Sequence, residues 1–368
     1  MESTSKRPLS SPPNSCSADI SKGKKMNFGF IGPKPKTVSM ENMDTNCTKY
    51  TVDFLNNYDK TVIQYKLEKY GFCIVENCLN LKQCQEIING TWTAMETMTS
   101  KIDVPVDRRN IKTWGSIKKC ANFRNIYTDN GIAHAEFMWR VRENPKIMKV
   151  YADLHGCKEE DLLVSFDGIS FQIPPEHPEG RNGWYKHCWY HVDNSFNQQN
   201  DRPICYQGQI VARDVNPGDY TIGFLRGSHK SFDEFGQKFG IKKKVDNFKM
   251  QNDEQMKFIE DRHKPIRVTC KAGSLVLFNN KLFHCGLEPL KNRQKMNIRN
   301  VVFVCYAHRQ DATDNIIKRR RKYFRESTST THWPAKGLRA NTSSNKNKLH
   351  PINSQCINIT PKIENLIG

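Results

Sequence analysis

From Leu162 onward the chain is a succession of short β-branched and aromatic runs broken by turn residues, and this punctuation is what most restricts its fold. The runs are Leu162-Leu-Val-Ser-Phe-Asp-Gly168, Ile204-Cys-Tyr-Gln-Gly-Gln-Ile-Val211, Tyr220-Thr-Ile-Gly-Phe-Leu225, Gly273-Ser-Leu-Val-Leu-Phe278 and Val301-Val-Phe-Val-Cys-Tyr306. Gly, Pro, Asn and Asp separate them, as expected of strands joined by turns. Upstream the period changes. Asn80 precedes Leu81, Cys84, Ile87, Ile88, Trp92, Met95 and Met98, a three-and-four spacing that predicts a helix, with Asn80 and Gln83 as its capping box. A second helical stretch runs from Ala133 to Leu154, interrupted at Pro145. Helices first and many short strands afterwards give an α+β class built on a β-sandwich or barrel.

Composition narrows the setting. Lys and Arg total 57 against 38 Asp and Glu, a formal charge of +19, which bears on weak attraction to polyanions and not on fold. The 13 cysteines are irregularly spaced and no apolar leader opens the chain. Reduced thiols and an intracellular, cytoplasmic or nuclear location are therefore expected. No stretch approaches the ~20 apolar residues of a membrane span.

The densest reactive cluster is Trp184-Tyr-Lys-His-Cys-Trp-Tyr-His-Val-Asp193. On extended backbone His191 and Asp193 share a face, so an imidazole and a carboxylate can meet one cation. His284, placed at the end of the strand after Gly273, is the best third ligand. Two His and one carboxylate leave three coordination positions open, the facial triad of non-haem Fe(II) oxygenases. A bidentate 2-oxo acid and O2 would fill those positions, and the distal carboxylate of the oxo acid would need a planar guanidinium. Arg299, which opens the next strand, is the preferred anchor, and Arg293 is the alternative.

Those pieces, in this order, resemble the phytanoyl-CoA dioxygenase family of 2-oxoglutarate oxygenases. The matching motifs are Leu163-Val-Ser-Phe-Asp-Gly168, Trp189-Tyr-His-Val-Asp193, Cys205-Tyr-Gln-Gly208, Gly218 to His229, Ala272 to Phe278, His284 and Arg299 to Tyr306, with Thr331-His-Trp-Pro334 further on. The resemblance implies a double-stranded β-helix (jelly-roll, cupin-like) core, with flanking N-terminal helices and a C-terminal helical extension. It implies Fe(II), with 2-oxoglutarate and O2 as cosubstrates, and hydroxylation of a small-molecule or modified-biomolecule substrate with release of succinate and CO2. His191, Asp193 and His284 would hold the iron, Arg299 the oxo acid, and Gln207 and Gln172 would contact the cosubstrate. Asp193 stands where halogenating relatives lack a carboxylate, which favours hydroxylation.

The expected organisation is a Ser/Pro/Lys-rich disordered arm over 1–45, an oxygenase domain over 46–335 and a flexible polar tail over 336–368. Within the domain the helical part covers 46–160, the β-helix core 161–310 and a basic helix 311–335. Trp189 and Tyr190, with Trp184 and Tyr185, either line the substrate mouth or pack in the core. Two other classes stay open. One is a Zn hydrolase using His187, Cys188 and His191, although the Glu of a zinc peptidase motif is missing. The other is a catalytically idle scaffold that binds through its basic surface. Lys318-Arg-Arg-Arg-Lys322 would then make weak polyanion contacts, or else form a solvated helix face.

Overall fold

The strand runs of the computed structural model, which describes residues 42–121, 126–180, 189–196, 203–242, 246–341, 349–354 and 357–368, form two facing sheets. In chain order the elements begin with β1 (Thr51–Asp53), α1 (Lys60–Tyr70), β2 (Phe72–Glu76), α2 (Leu81–Thr99), β3 (Ile126–Tyr127), α3 (Glu136–Arg142) and α4 (Pro145–His155). The strand-rich part follows with β4 (Leu162–Val164), β5 (Ile169–Gln172), β6 (His191–Val192), β7 (Tyr206–Val211) and β8 (Thr221–Leu225). It continues through α5 (Phe232–Lys238), β9 (Phe248–Lys249), α6 (Asp253–Glu260), β10 (Pro265–Arg267), β11 (Leu275–Asn279), β12 (His284–Leu287) and β13 (Arg299–His308). Helices α7 (Asp314–Arg325) and α8 (Pro361–Ile367) close the chain. The major sheet has the order β1-β2-β11-β7-β13-β5-β3, with β4 also on β13, and the minor sheet has the order β10-β8-β12-β6-β9.

The continuous apolar runs are explained by burial on both faces. Alternate residues of β2 and β11, Phe72, Ile74, Val276 and Phe278, point into the gap between the sheets, where Phe224 of β8 meets them. Their neighbours Cys73, Val75, Leu275 and Leu277 face the other way, into the layer that also buries Ile87, Trp92 and Met95 of α2 and Ile147, Val150 and Tyr151 of α4. Each large apolar side chain so covered contributes roughly 1.5–3 kcal/mol. The helices start as their sequences dictate. Asn80 and Gln83 form the reciprocal capping box. Pro145 opens α4 at its first turn, under an Asn144 cap, and so divides the expected helix over 133–154 into two. Gly71 ends α1 at φ +82°, where a Cβ would lie 2.5 Å from Leu282 and 2.6 Å from His229; the latter bonds the Glu68 carbonyl at the same turn.

Several expectations are corrected. Residues 1–41 of the arm lie outside the described residues, but Met43 is buried and Asp44 pairs with Ile266, so the packed chain begins before 46. The tail over 336–368 contains α8, capped by Thr360, with Ile363, Leu366 and Ile367 buried in the main core. The basic run is not a uniform solvated face. Lys318, Arg319, Arg321 and Lys322 are exposed, but Arg320 is fully buried. It donates to the carbonyls of Ile367 (2.7 Å), Pro334 (2.5 Å), Val164 (2.7 Å) and Leu366 (2.8 Å). Burial without a carboxylate partner pulls its pKa down to about 9. Among the described residues no helix is long and apolar enough to cross a membrane, and no described cysteine is disulfide-bonded.

Arg320 thus ties α7, β4 and α8 together through buried hydrogen bonds to backbone acceptors. Arg320→Met is expected to cost at least about 3 kcal/mol in urea denaturation, because several buried carbonyls lose their donor at once. Lys318→Ala, on the exposed side of the same helix, is expected to stay within about 0.5 kcal/mol.

Candidate metal centre and its cavity

The inward faces of the two sheets become polar at one end of the sandwich. In the minor sheet His284 at the start of β12 lies directly across from His191 in β6. Cross-strand neighbours on one face stand about 5 Å apart, and the two imidazole rings have centroids 4.2 Å apart. Asp193 follows β6 by one residue, its N–H held by the Asn280 carbonyl at 3.1 Å. The Nε2 atoms of His191 and His284 are 3.7 and 3.4 Å from the two Asp193 carboxylate oxygens. One ligand atom from each of the three residues lies within 4.8 Å of the others.

His284 does not end the preceding strand, as expected from sequence, but opens a new one in the opposite sheet. β11 stops at Asn279, a turn closes with Leu282 N–H on the Asn279 carbonyl at 2.8 Å, and the chain crosses over. The imidazoles are aimed by their other nitrogens: Nδ1 of His191 contacts the Trp189 carbonyl at 3.3 Å, and Nδ1 of His284 the Leu282 carbonyl at 2.8 Å. A carbonyl only accepts, so each Nδ1 carries the proton and each Nε2 lone pair is left for a metal. Trp189 stacks flat on His191, with centroids 4.2 Å apart and an interplanar angle of 6°. Burial acts against a charged Asp193, but a positive charge at His191 and then at His284 outweighs it and holds the pKa well below the usual carboxylate range; a cation bound between neutral imidazoles would act on Asp193 in the same direction.

The donor set fits a small divalent ion. Cis ligands at about 2.1 Å from one metal stand about 3 Å apart, so the His–Asp separations of 3.7 and 3.4 Å, in a set whose ligand atoms lie within 4.8 Å of one another, would draw in around a bound ion. The set of two imidazoles and one carboxylate, with no thiolate, suits Fe(II). His187 and Cys188 of the alternative Zn reading lie outside the described residues, as do Trp184 and Tyr185.

A cavity of about 520 Å³ holds the triad and Arg299 together. Arg299, the first residue of β13, is buried; its guanidinium donates to Ser170 Oγ (3.2 Å), Gln209 Oε1 (3.1 Å) and the Tyr220 carbonyl (3.4 Å), with its carbon 5.0 Å from the Tyr220 ring centroid. Burial lowers its pKa, and no described carboxylate pairs with it. Arg293 lies elsewhere: it is bound to Glu176 (2.7 Å) and Asp219 (3.4 Å) and does not line the cavity.

Gln207 lines the cavity, but its amide donates to Asp193 Oδ2 at 3.0 Å, which makes it a support of the ligand set. Gln172 pairs with Arg299 in register and is buried, yet it does not line the cavity. Trp189 lines it, whereas Tyr190 is fully buried in the second apolar cluster with Val192 and Phe248. Sequence reasoning missed Ser170, Gln209, Tyr220, Asp167 and Asp129. Gln209 was findable, since it shares the face of Gln207 two residues on; the others are carried by turns and partner strands that spacing does not reveal.

The family model described as phytanoyl-CoA dioxygenase matches residues 67–288. The Ava biosynthesis cluster protein O of Aspergillus versicolor is 23% identical over 294 residues, covering 78% of this chain and 90% of its own. Among solved structures, GlcNAc Inducible Gene 2 of Candida albicans has a TM-score of 0.51 at 12% identity, covering 76% of this chain and 71% of that one, which shows a shared fold. EctD from S. alaskensis, solved with 2-oxoglutarate and 5-hydroxyectoine, has a TM-score of 0.45 at 13% identity, covering 75% and 87%.

Because Gln207 holds a ligand oxygen, Gln207→Leu is expected to weaken Co(II) binding about 10- to 100-fold in anaerobic titration. A purely cosubstrate-contacting Gln207 would leave metal affinity unchanged.

Proposed function

Because the chain belongs to the phytanoyl-CoA dioxygenase family, we propose that it is an Fe(II)- and 2-oxoglutarate-dependent hydroxylase of a small organic substrate. The observation that carries the reading is a facial set of two imidazoles and a carboxylate sharing one cavity with a buried guanidinium that lacks a counter-ion among the described residues. Fe(II) with 2-oxoglutarate supplies oxidative decarboxylation of the oxo acid by O2, which yields succinate and CO2 and the oxidant for a C–H bond.

The chain's own residues have distinct parts in this. His191, Asp193 and His284 would hold the ion and leave three adjacent positions for the exchangeable ligands. Arg299 would clamp the distal carboxylate, its fork kept flat by Ser170 and Gln209 and by the Tyr220 ring. A buried cation without an anion is costly, so the oxo acid satisfies Arg299 when it binds. Gln207 keeps Asp193 oriented through its amide. Trp189 limits rotation of the His191 ring by stacking on it.

The test is release of labelled CO2 from 1-¹⁴C-2-oxoglutarate by the Fe(II)-loaded protein under air. The account expects slow release even without substrate. Arg299→Met is expected to raise the KM for 2-oxoglutarate about 100-fold, since a charge-assisted bidentate contact is lost, with Fe(II) affinity unchanged. Wild-type protein that binds Fe(II) and releases no CO2 would exclude the reading.

A further inference from the structure

The strand registers order the contents of the cavity along its length. Arg299, Val301, Phe303 and Cys305 share the inward face of β13, and β7 sets Gln209 opposite Phe303 and Gln207 opposite Cys305. Gln209 bonds Arg299 and Gln207 bonds Asp193, so the triad lies at the level of Gln207 and Cys305, with Arg299 towards the other end of the strand. At a rise of about 3.4 Å per residue, Arg299 and Cys305 are about 20 Å apart along the strand. In the oxygenase reading the oxo acid would reach from the triad towards Arg299, which leaves to the substrate the Cys305 side, where Phe303 N–H donates to the Gly168 carbonyl at 3.0 Å and so sets Asp167 nearby.

Among the described residues that side carries two carboxylates and one imidazole, that of His332, in a strongly basic protein. Its described lining includes Asp167 and Asp129 together with Thr128, Thr331 and Asn341, and Arg299 is the only Lys or Arg among the described lining residues of the cavity. Asp167 is fixed in place by the backbone around it. The Gly168 N–H donates to its Oδ1 at 2.7 Å. A Cβ on Gly168 would lie 1.9 Å from the Tyr127 carbonyl, so the loop closes only on glycine.

The nearby Arg142 does not neutralise the carboxylate by contact. Its guanidinium is buried and engages the backbone carbonyls of Ala133 (2.6 Å) and Asp167 (2.9 Å). No described cation forms an ion pair with Asp167 or Asp129, and the Asp129 carboxylate accepts from the Thr128 hydroxyl at 3.4 Å. Burial pushes the Asp167 pKa up to about 6, against the Gly168 N–H and the charge of Arg142, which both lower it, while the charge of Asp193 adds to the rise.

We propose that the cavity end opposite Arg299 receives a protonated amine, so that the substrate is a small aminated molecule anchored by Asp167, with Asp129 as a second carboxylate. The inference rests on the oxygenase reading above and deepens it by naming the substrate class. A carboxylate held away from bulk water is stabilised by a cation that brings its own N–H donors. A neutral alcohol replaces only part of that. A phosphate or carboxylate placed there meets like charge, which selects against anionic substrates.

The test is calorimetric titration of the anaerobic Fe(II)–2-oxoglutarate complex with three probes of equal length: hexylammonium, hexanol and hexanoate. Wild type is expected to bind hexylammonium at least about tenfold more tightly than hexanol, and hexanoate more weakly than either. Asp167→Asn is expected to abolish the preference for the ammonium, and Asp129→Asn to reduce it. Equal affinity for the three probes, or an ammonium preference that survives in folded Asp167→Asn, overturns the proposal. If Asp167→Asn does not unfold cooperatively, the wild-type ranking alone decides. Absence of the visible Fe(II)–2-oxoglutarate band in wild type would instead sink the oxygenase reading, so the two failures are separable.

Discussion

Phe72 of the major sheet stacks on Phe224 of the minor sheet with centroids 4.6 Å apart, and Phe224 in turn contacts Phe278 and His284. This contact joins the two sheets next to the point where His284 faces His191. The register of the minor sheet, with His284 opposite both Phe224 and His191, makes the apolar wedge and the metal face parts of one surface. A one-residue slip in β12 would turn His284 out of the cavity and Cys285 into it. The candidate metal centre is therefore held by sheet packing as much as by its own hydrogen bonds.

The major sheet carries the opposite logic. Its strands are buried on both faces, against α2 and α4 outside and against the minor sheet inside, so polar residues at inward positions are conspicuous. Arg299, Gln207, Gln209 and Ser170 occupy such positions and converge on one cavity. Arg299 and Gln207 answer each other across the triad: one presents a cation without a described counter-ion, the other supports the carboxylate ligand.

Much of this was legible in the sequence because double-sided burial writes long apolar runs. The major strands β7, β11 and β13 stood out for that reason, and their order carried the family resemblance. The capping box at Asn80 and Gln83 was equally plain, because local hydrogen bonding fixes it. The strands that carry the candidate metal ligands were not legible: β6 has two residues and β12 four, too short for any period to show. His284 was read as a candidate ligand but assigned to the wrong strand, since the crossover at Asn279 and Asn280 reads as a simple turn. Arg320 and α8 were misread because their partners lie far apart in sequence: a buried guanidinium within a basic run looks like its exposed neighbours until the carbonyls it meets are known. Asp167 was quoted within a motif without a role, since nothing local distinguishes a carboxylate facing a cavity from one in a turn.

The most direct test of the account is anaerobic titration of the metal-free protein with Fe(II) and then 2-oxoglutarate, following visible absorption. The account predicts a charge-transfer band from the chelated oxo acid in wild type, lost in His191→Ala and Asp193→Ala variants that remain folded. A folded wild-type protein that binds Fe(II) and 2-oxoglutarate without producing the band would contradict it.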